Sequence, residues 1–392
     1  MDQKKTENIN EIDCGCGIED LLNKSHQDNK RSSQASSPKG DIHIDPDVEK
    51  LSYQFYMKNF TDGLPIIPPT PERVNKFYDF TDLEAEKIAA IIPPRQGKAT
   101  IEKIAINAVM AGSLPVFMPL IQNSVRAIAH EKFNLPGVNA TTHPVAICII
   151  TNGPLASEIG INSNVGCLGP GNIANATIGR ALRLILMNIG GAIPGIGDHA
   201  TLGSPSKYSF CFAEAENESP WKPLHVERGF SKQNSTTTVM AVDSPHNVND
   251  HRSKTAEDLL DTIVHTAAVA GCNNSHVPGE LLIIMGPEHA QLVASKGWNK
   301  KEVKEYIHDN LYVPAHLGDR GGRKLDEKWI IDDDVKLTQT PDDVVLVVAG
   351  GPGRHSMICH GFGTSSQSVT QPITFSNGKP VLSINDFENL KK

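Results

Sequence analysis

The chain has 392 residues, enough for one large domain or two of ordinary size. It is 39% hydrophobic and 21% charged, a balance that supports a globular core. A net charge of −8 without a dense Lys/Arg cluster argues against nucleic acid as a partner.

No apolar run reaches the ~18 residues of a spanning helix, and MDQKKTENIN does not read as a secretory leader. Seven cysteines in so long a chain make no disulfide framework, so a cytoplasmic protein with reduced thiols is expected. Residues 1–45 read as a separate head and linker. KSHQDNKRSSQASSPKGD is polar and aperiodic, the pattern of a disordered segment. It tethers DCGCGIEDLLNK, in which Cys14 and Cys16 can hold a soft metal ion together or react with one another. A tail that merely contains cysteines is the plain alternative. The folded region is expected over 46–392, in approximate halves 46–200 and 201–392.

DVEKLSYQFYMKNF predicts the first helix, which TDGLPIIPPTPERV breaks with a Pro-rich turn. An internal repeat follows. Residues 99–160 read ATIEKIAINAVMAG, then NATTHP, the apolar run VAICII and TNGPLASEIG. Residues 255–297 read TAEDLLDTIVHTAAVAG, then NNSHVP, LLIIM and GPEHAQLVASKG. Each copy is a helix, a loop with His and Pro, a buried strand, Gly-Pro and a short helix. DVVLVVAGGP at 343–352 ends the same way. Between the copies, KYSFCFAEAE alternates as a half-buried strand, and STTTVMAV is its expected antiparallel neighbour. The expected fold is α/β or mixed α+β, built from duplicated units as two pseudo-twofold halves.

Within the first half lies NSNVGCLGPGNIANATIGRALRLILMNIGG, residues 162–191. It joins a Gly/Asn-rich approach to a largely apolar helix. Asn172 or Asn175 can cap that helix, and its free N–H groups suit a small anion. Gly166, Gly169 and Gly171 let backbone approach a ligand, and Cys167 would sit where a thiolate is favoured. The bland reading is a tight turn whose glycines serve only backbone geometry. Arg180 and Arg183 on this apolar helix need a partner, either a protein carboxylate or an anionic ligand.

The repeat supplies a second set. Asn139 and His143 lead into one strand, and Asn273 and His276 into the other; paired imidazoles suit a metal or acid–base work. Each His tying down its own loop is the competing reading. Cys272 directly precedes NNSH, and Cys359 adjoins His360 in RHSMICHGFG, so both have a histidine near enough to activate a thiol. Cys148 and Cys211 lie in strand runs and are expected to be inert. SPHNVNDHRS at 244–253 reads as a polar surface loop, while Arg320 and Arg323 in GDRGGR could clamp an anion. A transition metal is the one cofactor these sets allow. No nucleotide cofactor is expected, because no GxGxxG follows a strand and GGPG at 350–353 is no substitute.

The blocks DGLPIIPPTPERV, KIAINAVMAG, NATTHP, GCLGPGNIANATIGRALRLILMNIGG and LVVAGGPGRHS together resemble an uncharacterised bacterial family. Its members occur beside, or joined to, small selenoprotein-like units with a Sec/Cys-Gly-Ser-Cys motif. The resemblance spans about residues 50–375. It implies thiol or selenol chemistry and a small redox protein as partner, without assigning catalytic residues. The family pattern has Cys where this chain has Ser113, which puts a thiol role there in doubt. No such small unit appears in the final SINDFENLKK. The leading expectation is a cytosolic enzyme using Cys167, Cys272 or Cys359 on a small anionic molecule. The alternatives are a metal or organometal carrier and a His-dependent metal hydrolase or lyase. Neither a membrane nor nucleic acid is expected, and self-association is left open.

Overall fold

A computed structural model describes residues 48–321 and 325–391. Cys14, Cys16, the linker and Arg323 lie outside the described residues. The described chain forms twelve α-helices and thirteen strands. First come α1 (Val48–Met57), α2 (Pro71–Asn75), the hairpin β1 (Ile88–Ile92) and β2 (Gly97–Thr100), α3 (Ile101–Ala111), α4 (Met118–Ile128) and α5 (Leu135–Ala140). Next are β3 (Ala146–Asn152), α6 (Pro154–Glu158), α7 (Ile173–Ile185), β4 (Cys211–Ala213), α8 (Leu224–Glu227) and β5 (Thr236–Val242). Then follow β6 (His246–Asn249), α9 (Ala256–Ala267), β7 (Leu281–Met285), α10 (Pro287–Ser295) and α11 (Lys300–Asn310). The chain closes with β8 (Tyr312–Pro314), α12 (Ala315–Gly318), β9 (Ile330–Ile331), β10 (Asp334–Lys336), β11 (Val344–Val348), β12 (His355–His360) and β13 (Val369–Pro372).

The helix starts obey local capping chemistry. Thr100 and Thr255 each accept a backbone N–H at the first turn of α3 and α9, and Gly112 closes α3 in the left-handed region. The apolar runs become strands because β-branched residues pack well on a pleated surface. Two four-stranded sheets dominate, in the orders β13-β5-β3-β4 and β11-β7-β12-β6; β1-β2 and β8-β10-β9 are minor. The fold is therefore mixed, and each large sheet contains one parallel pair, β3 with β4 and β7 with β11.

Strand alternation assigns the layers. Ala146, Cys148 and Ile150 of β3 share a core with Leu282 and Ile284 of β7, so the two sheets pack face to face. Ile149 turns to the other side, against helices α3, α4 and α7. Leu281, Ile283 and Met285 turn likewise toward α9, α10 and α11. Helices thus cover one face of each sheet and the other sheet covers its second face. One correction concerns KYSFCFAEAE. Only Cys211–Ala213 is strand, all of it buried, and its partner is β3 in parallel. STTTVMAV is a strand, but it pairs with the other edge of β3 and not with β4. Among the described residues no helix is long and apolar enough to cross a membrane.

Burial sets one pH response. His225, His308 and His360 are buried, and for each that burial holds the pKa below the ordinary histidine value. The unfolded chain then binds protons more readily, so stability is lost as pH falls through about 6.5. Glu214 and Glu280, pushed up by burial, act with the opposite sign and lose stability as pH rises through their folded values. The melting temperature should drop between pH 7 and pH 5.5, and His308→Gln should flatten that slope; an unchanged slope would count against it.

Candidate functional site

Strands β5 and β12 end side by side. Val242 bridges Gly361, and the Asp243 N–H donates to the His360 carbonyl at 2.8 Å. The loop that precedes β3 meets this junction. There His143 Nε2 stands 2.9 Å from Asp243 Oδ1, an ion-pair approach rather than a formed hydrogen bond. The two side chains are 17% and 26% exposed, so solvent reaches the pair. Phe362 stacks on the His143 ring with centroids 5.8 Å apart, which fixes its plane. His143 Nδ1 is buried and has no partner.

Other sequence candidates gather around Asp243. His360 donates from Nε2 to the Ala267 carbonyl at 2.8 Å, and burial keeps its ring toward the neutral form. Asn273 Nδ2 donates to the Gly361 carbonyl at 3.2 Å, tying the second loop to the same place. Cys272 and Cys359 both feel the Asp243 charge, which adds to the effect of burial in raising their thiols. Cys272 is pushed up to about 11. Neither is poised as a thiolate at neutral pH. His276 remains in its own loop, its N–H donating to the Asn273 carbonyl and its Nδ1 buried and unpaired. Among the described residues, no three His, Cys, Asp or Glu side chains are placed to hold a metal ion.

The Gly/Asn loop occupies a different part of the fold, beside the turn that follows β11. Gly350 N–H donates to the Ser163 carbonyl at 2.9 Å. A Cβ on Gly351 would stand 2.2 Å from Val165, so the close approach requires glycine. Asn172 caps α7 by accepting the Asn175 N–H and also holds the Gly160 carbonyl. Asn175 clamps the loop, accepting from the Asn162 N–H and donating to the Asn162 and Cys167 carbonyls. Both asparagines are thus committed to holding the loop. Gly166 and Gly171 have φ of +68° and +115° with open space where a Cβ would be, so close packing does not explain them. Gly169 accompanies them on the exposed rim. An open groove of about 740 Å³ runs alongside, with Asn164, Glu288, Gly350 and Arg354 in its walls.

The expected Cys167 thiolate needs correction. Nearby backbone amides favour charge on its sulfur, although those of Cys167 and Gly350 donate to the Asn164 and Ser163 carbonyls, and burial of the side chain outweighs them. Its pKa is pushed up to about 11. Arg180 is also corrected as a ligand-binding residue. It makes a bidentate pair with Asp62 at 2.8 and 2.9 Å and donates to the Pro65 carbonyl. Arg183 is satisfied by Asp198 at 3.0 Å. Asn139 is buried, donating to the Pro93 carbonyl at 3.4 Å beside a small cavity that Arg183 and Asp198 also line.

Several residues of interest were not singled out from sequence. Asp243 could have been, since it is an acid directly after the apolar strand STTTVMAV. A buried polar network at the far end of β3 gave less warning. Asn152 Nδ2 donates to Glu214 Oε2 at 2.7 Å and to Glu216 Oε1 at 3.1 Å, while His225 Nδ1 lies 3.8 Å from Glu216. The Lys232 carbonyl approaches His225 without forming a hydrogen bond of normal geometry. Lys300 and Lys304 both grip Glu227 at 2.7 Å and so lock α8, which carries His225. Glu214 and His225 are buried, while Glu216 keeps its side chain 19% exposed.

The five described cysteines, Cys148, Cys167, Cys211, Cys272 and Cys359, are all buried free thiols. A full-length variant with Cys14 and Cys16 changed to Ser should therefore show no fast phase with a thiol-titrating disulfide until denaturant is added. A fast native phase would point to a reactive buried site.

No protein-family model matches the chain, and no curated protein matches it in sequence.

Proposed function

We propose that the protein is an enzyme of hydrolase or lyase type that moves protons on a small polar molecule through His143 and Asp243. The observation that carries this is the 2.9 Å approach of Asp243 to His143 Nε2, with Nδ1 left unpaired. A carboxylate accepts only, so it favours the tautomer with hydrogen on Nε2 and a lone pair on Nδ1. That nitrogen is the base, and because it is buried the loop before β3 must shift for a substrate to reach it. His360, whose Nε2–H is committed to Ala267, keeps its own Nδ1 lone pair. Incubating the protein with a small-molecule extract and following each compound by mass spectrometry tests this. A compound consumed by the wild type and spared by His143→Gln supports the reading; equal consumption by both rejects it.

One observation favours a second reading, covalent chemistry at Cys167. The backbone amides of Cys167, Leu168 and Gly350 lie close enough to its sulfur to favour charge there once a proton is removed. In that case Cys167→Ser abolishes consumption and His143→Gln does not. A small thiol or selenol protein would then be the natural redox partner.

We also infer that the two large sheets derive from one duplicated unit. In each, the central strand has a parallel neighbour on one side and an antiparallel one on the other, and that strand pairs antiparallel in turn with the edge strand. The fourth strand is exchanged, since β5 leads into β6 on the second sheet and β12 leads into β13 on the first. The Gly/Asn loop enters between α6 and α7, where the second unit has only Gly297-Trp298-Asn299 between a Lys296 cap and α11. A loop added to one copy is a sign of acquired function.

A further inference from the structure

We propose that His251 and His355 form a surface site for a borderline transition-metal dication such as Zn²⁺, Cu²⁺ or Ni²⁺. The juxtaposition lies away from the His143–Asp243 pair and does not rest on it. The two Nε2 atoms face each other at 3.3 Å, with the rings at 80° and their centroids 5.0 Å apart. Two imidazole nitrogens bound at ~2.0–2.1 Å to one tetrahedral ion are ~3.3–3.4 Å apart. The spacing already matches that of a ligand pair.

The surroundings hold this geometry. His355 lies on β12, and its Nδ1 is 3.1 Å from Asn247 Oδ1 on the paired strand β6. A carbonyl oxygen can only accept, so Nδ1 carries the hydrogen and Nε2 presents its lone pair outward. An outer partner of this kind orients a metal-binding histidine and raises its basicity. His251 follows Asp250, whose carboxylate accepts from the Arg252 and Ser253 N–H groups and from Thr262 Oγ1. The Asp250 carbonyl lies 3.0 Å from His289 Nε2, and Arg354 donates to the carbonyls of His251 and Ser253. The backbone on both sides of the pair is therefore fixed before any ion arrives, which reduces the ordering cost of binding.

Both histidines are exposed. Imidazole donors without a carboxylate suit Zn²⁺, Cu²⁺ or Ni²⁺ rather than Mg²⁺ or Ca²⁺. Because no third His, Cys, Asp or Glu is gathered among the described residues, water or an incoming ligand must complete the coordination. Such a site exchanges its ion readily, in contrast to a closed structural site with four protein ligands. An imidazole-to-imidazole hydrogen bond is the alternative use of the same contact.

The experiment is a Zn²⁺ titration of the full-length protein by calorimetry, repeated on His251→Asn, on His355→Asn and on the double variant. Histidine ring NMR signals are followed in parallel with Cu²⁺ added at substoichiometric amounts. The expected result is one equivalent of Zn²⁺ lost in the double variant, at least tenfold weaker binding in each single variant, and selective broadening of His251 and His355. Asn247→Ala is expected to weaken binding by ~10–100-fold, as removal of an outer partner does. Unchanged stoichiometry and affinity in the double variant, with no selective broadening, overturns the site and leaves the pair as a hydrogen bond.

Discussion

Asp62→Ala should destabilise the protein by about 3 kcal/mol or more, since removing one partner of a buried ion pair costs ~3–5 kcal/mol. Asp62 and Arg180 have side chains only 3% and 14% exposed, and the guanidinium meets the carboxylate through two parallel hydrogen bonds. Without the carboxylate, the charge of Arg180 stays inside with only the carbonyls of Leu64, Pro65 and Ala111 to solvate it. Those carbonyls hold the expected loss toward the lower end of the range. Replacing both residues by apolar ones, Asp62→Leu with Arg180→Met, should cost far less, because desolvation and attraction disappear together. Urea unfolding of the two singles and the double separates the cases. A double variant as unstable as the sum of the singles would mean the pair contributes through packing alone.

Arg180 also shows where sequence reading stops. The apolar spacing of Ile178, Leu182 and Ile185 made the helix and its buried face legible, and an arginine on that helix announced that a partner must exist. It could not say which. Asp62 lies 118 positions earlier, in the Pro-rich turn, and only the packing of α7 against α3 brings that turn within reach. The same limit applied to the sheets. Short runs of Ile, Val and Leu marked β3, β7 and β11, because nothing else that short is so uniformly apolar. Their order was not legible, since hydrogen bonds between strands leave no local signature. Face-to-face packing of two sheets looks the same in sequence as helices on both faces, because either buries both sides of a strand.

The site divided in the same way. His143, Cys272, Asn273, Cys359 and His360 were visible because the repeated Asn/His loops and Cys-His neighbours stand out by residue type, and the fold brings them around one carboxylate. Asp243 and Phe362 became meaningful only through the β5–β12 junction. The thiols were misjudged for a physical reason. Nearness to N–H groups or to a histidine favours a thiolate, but sequence does not report burial, which here is the larger effect on Cys167 and on Cys272. The buried Glu214 and His225 network was missed because an acid late in a strand usually reads as the solvent-facing member of an alternation.

Asp243→Asn should lower kcat by ~10²–10⁴-fold, the contribution of a positioned acid–base group. Asparagine keeps the shape and the backbone contact to His360, but its amide can turn a donor toward His143 and so favour the wrong tautomer. His143→Gln should cause a loss of the same size. The double variant should be little worse than either, because groups acting as one unit are not additive. Stability gives the control: the pair is partly exposed, so Asp243→Asn should change it by less than ~1 kcal/mol. The pH profile supplies the second readout. A general base acts only when unprotonated, so any acid limb of the wild-type rate profile should vanish from the residual rate of His143→Gln. Retention of the limb would assign the base elsewhere, with His360 the next group to replace. Loss of activity in Cys167→Ser alone would move the chemistry to the Gly/Asn loop.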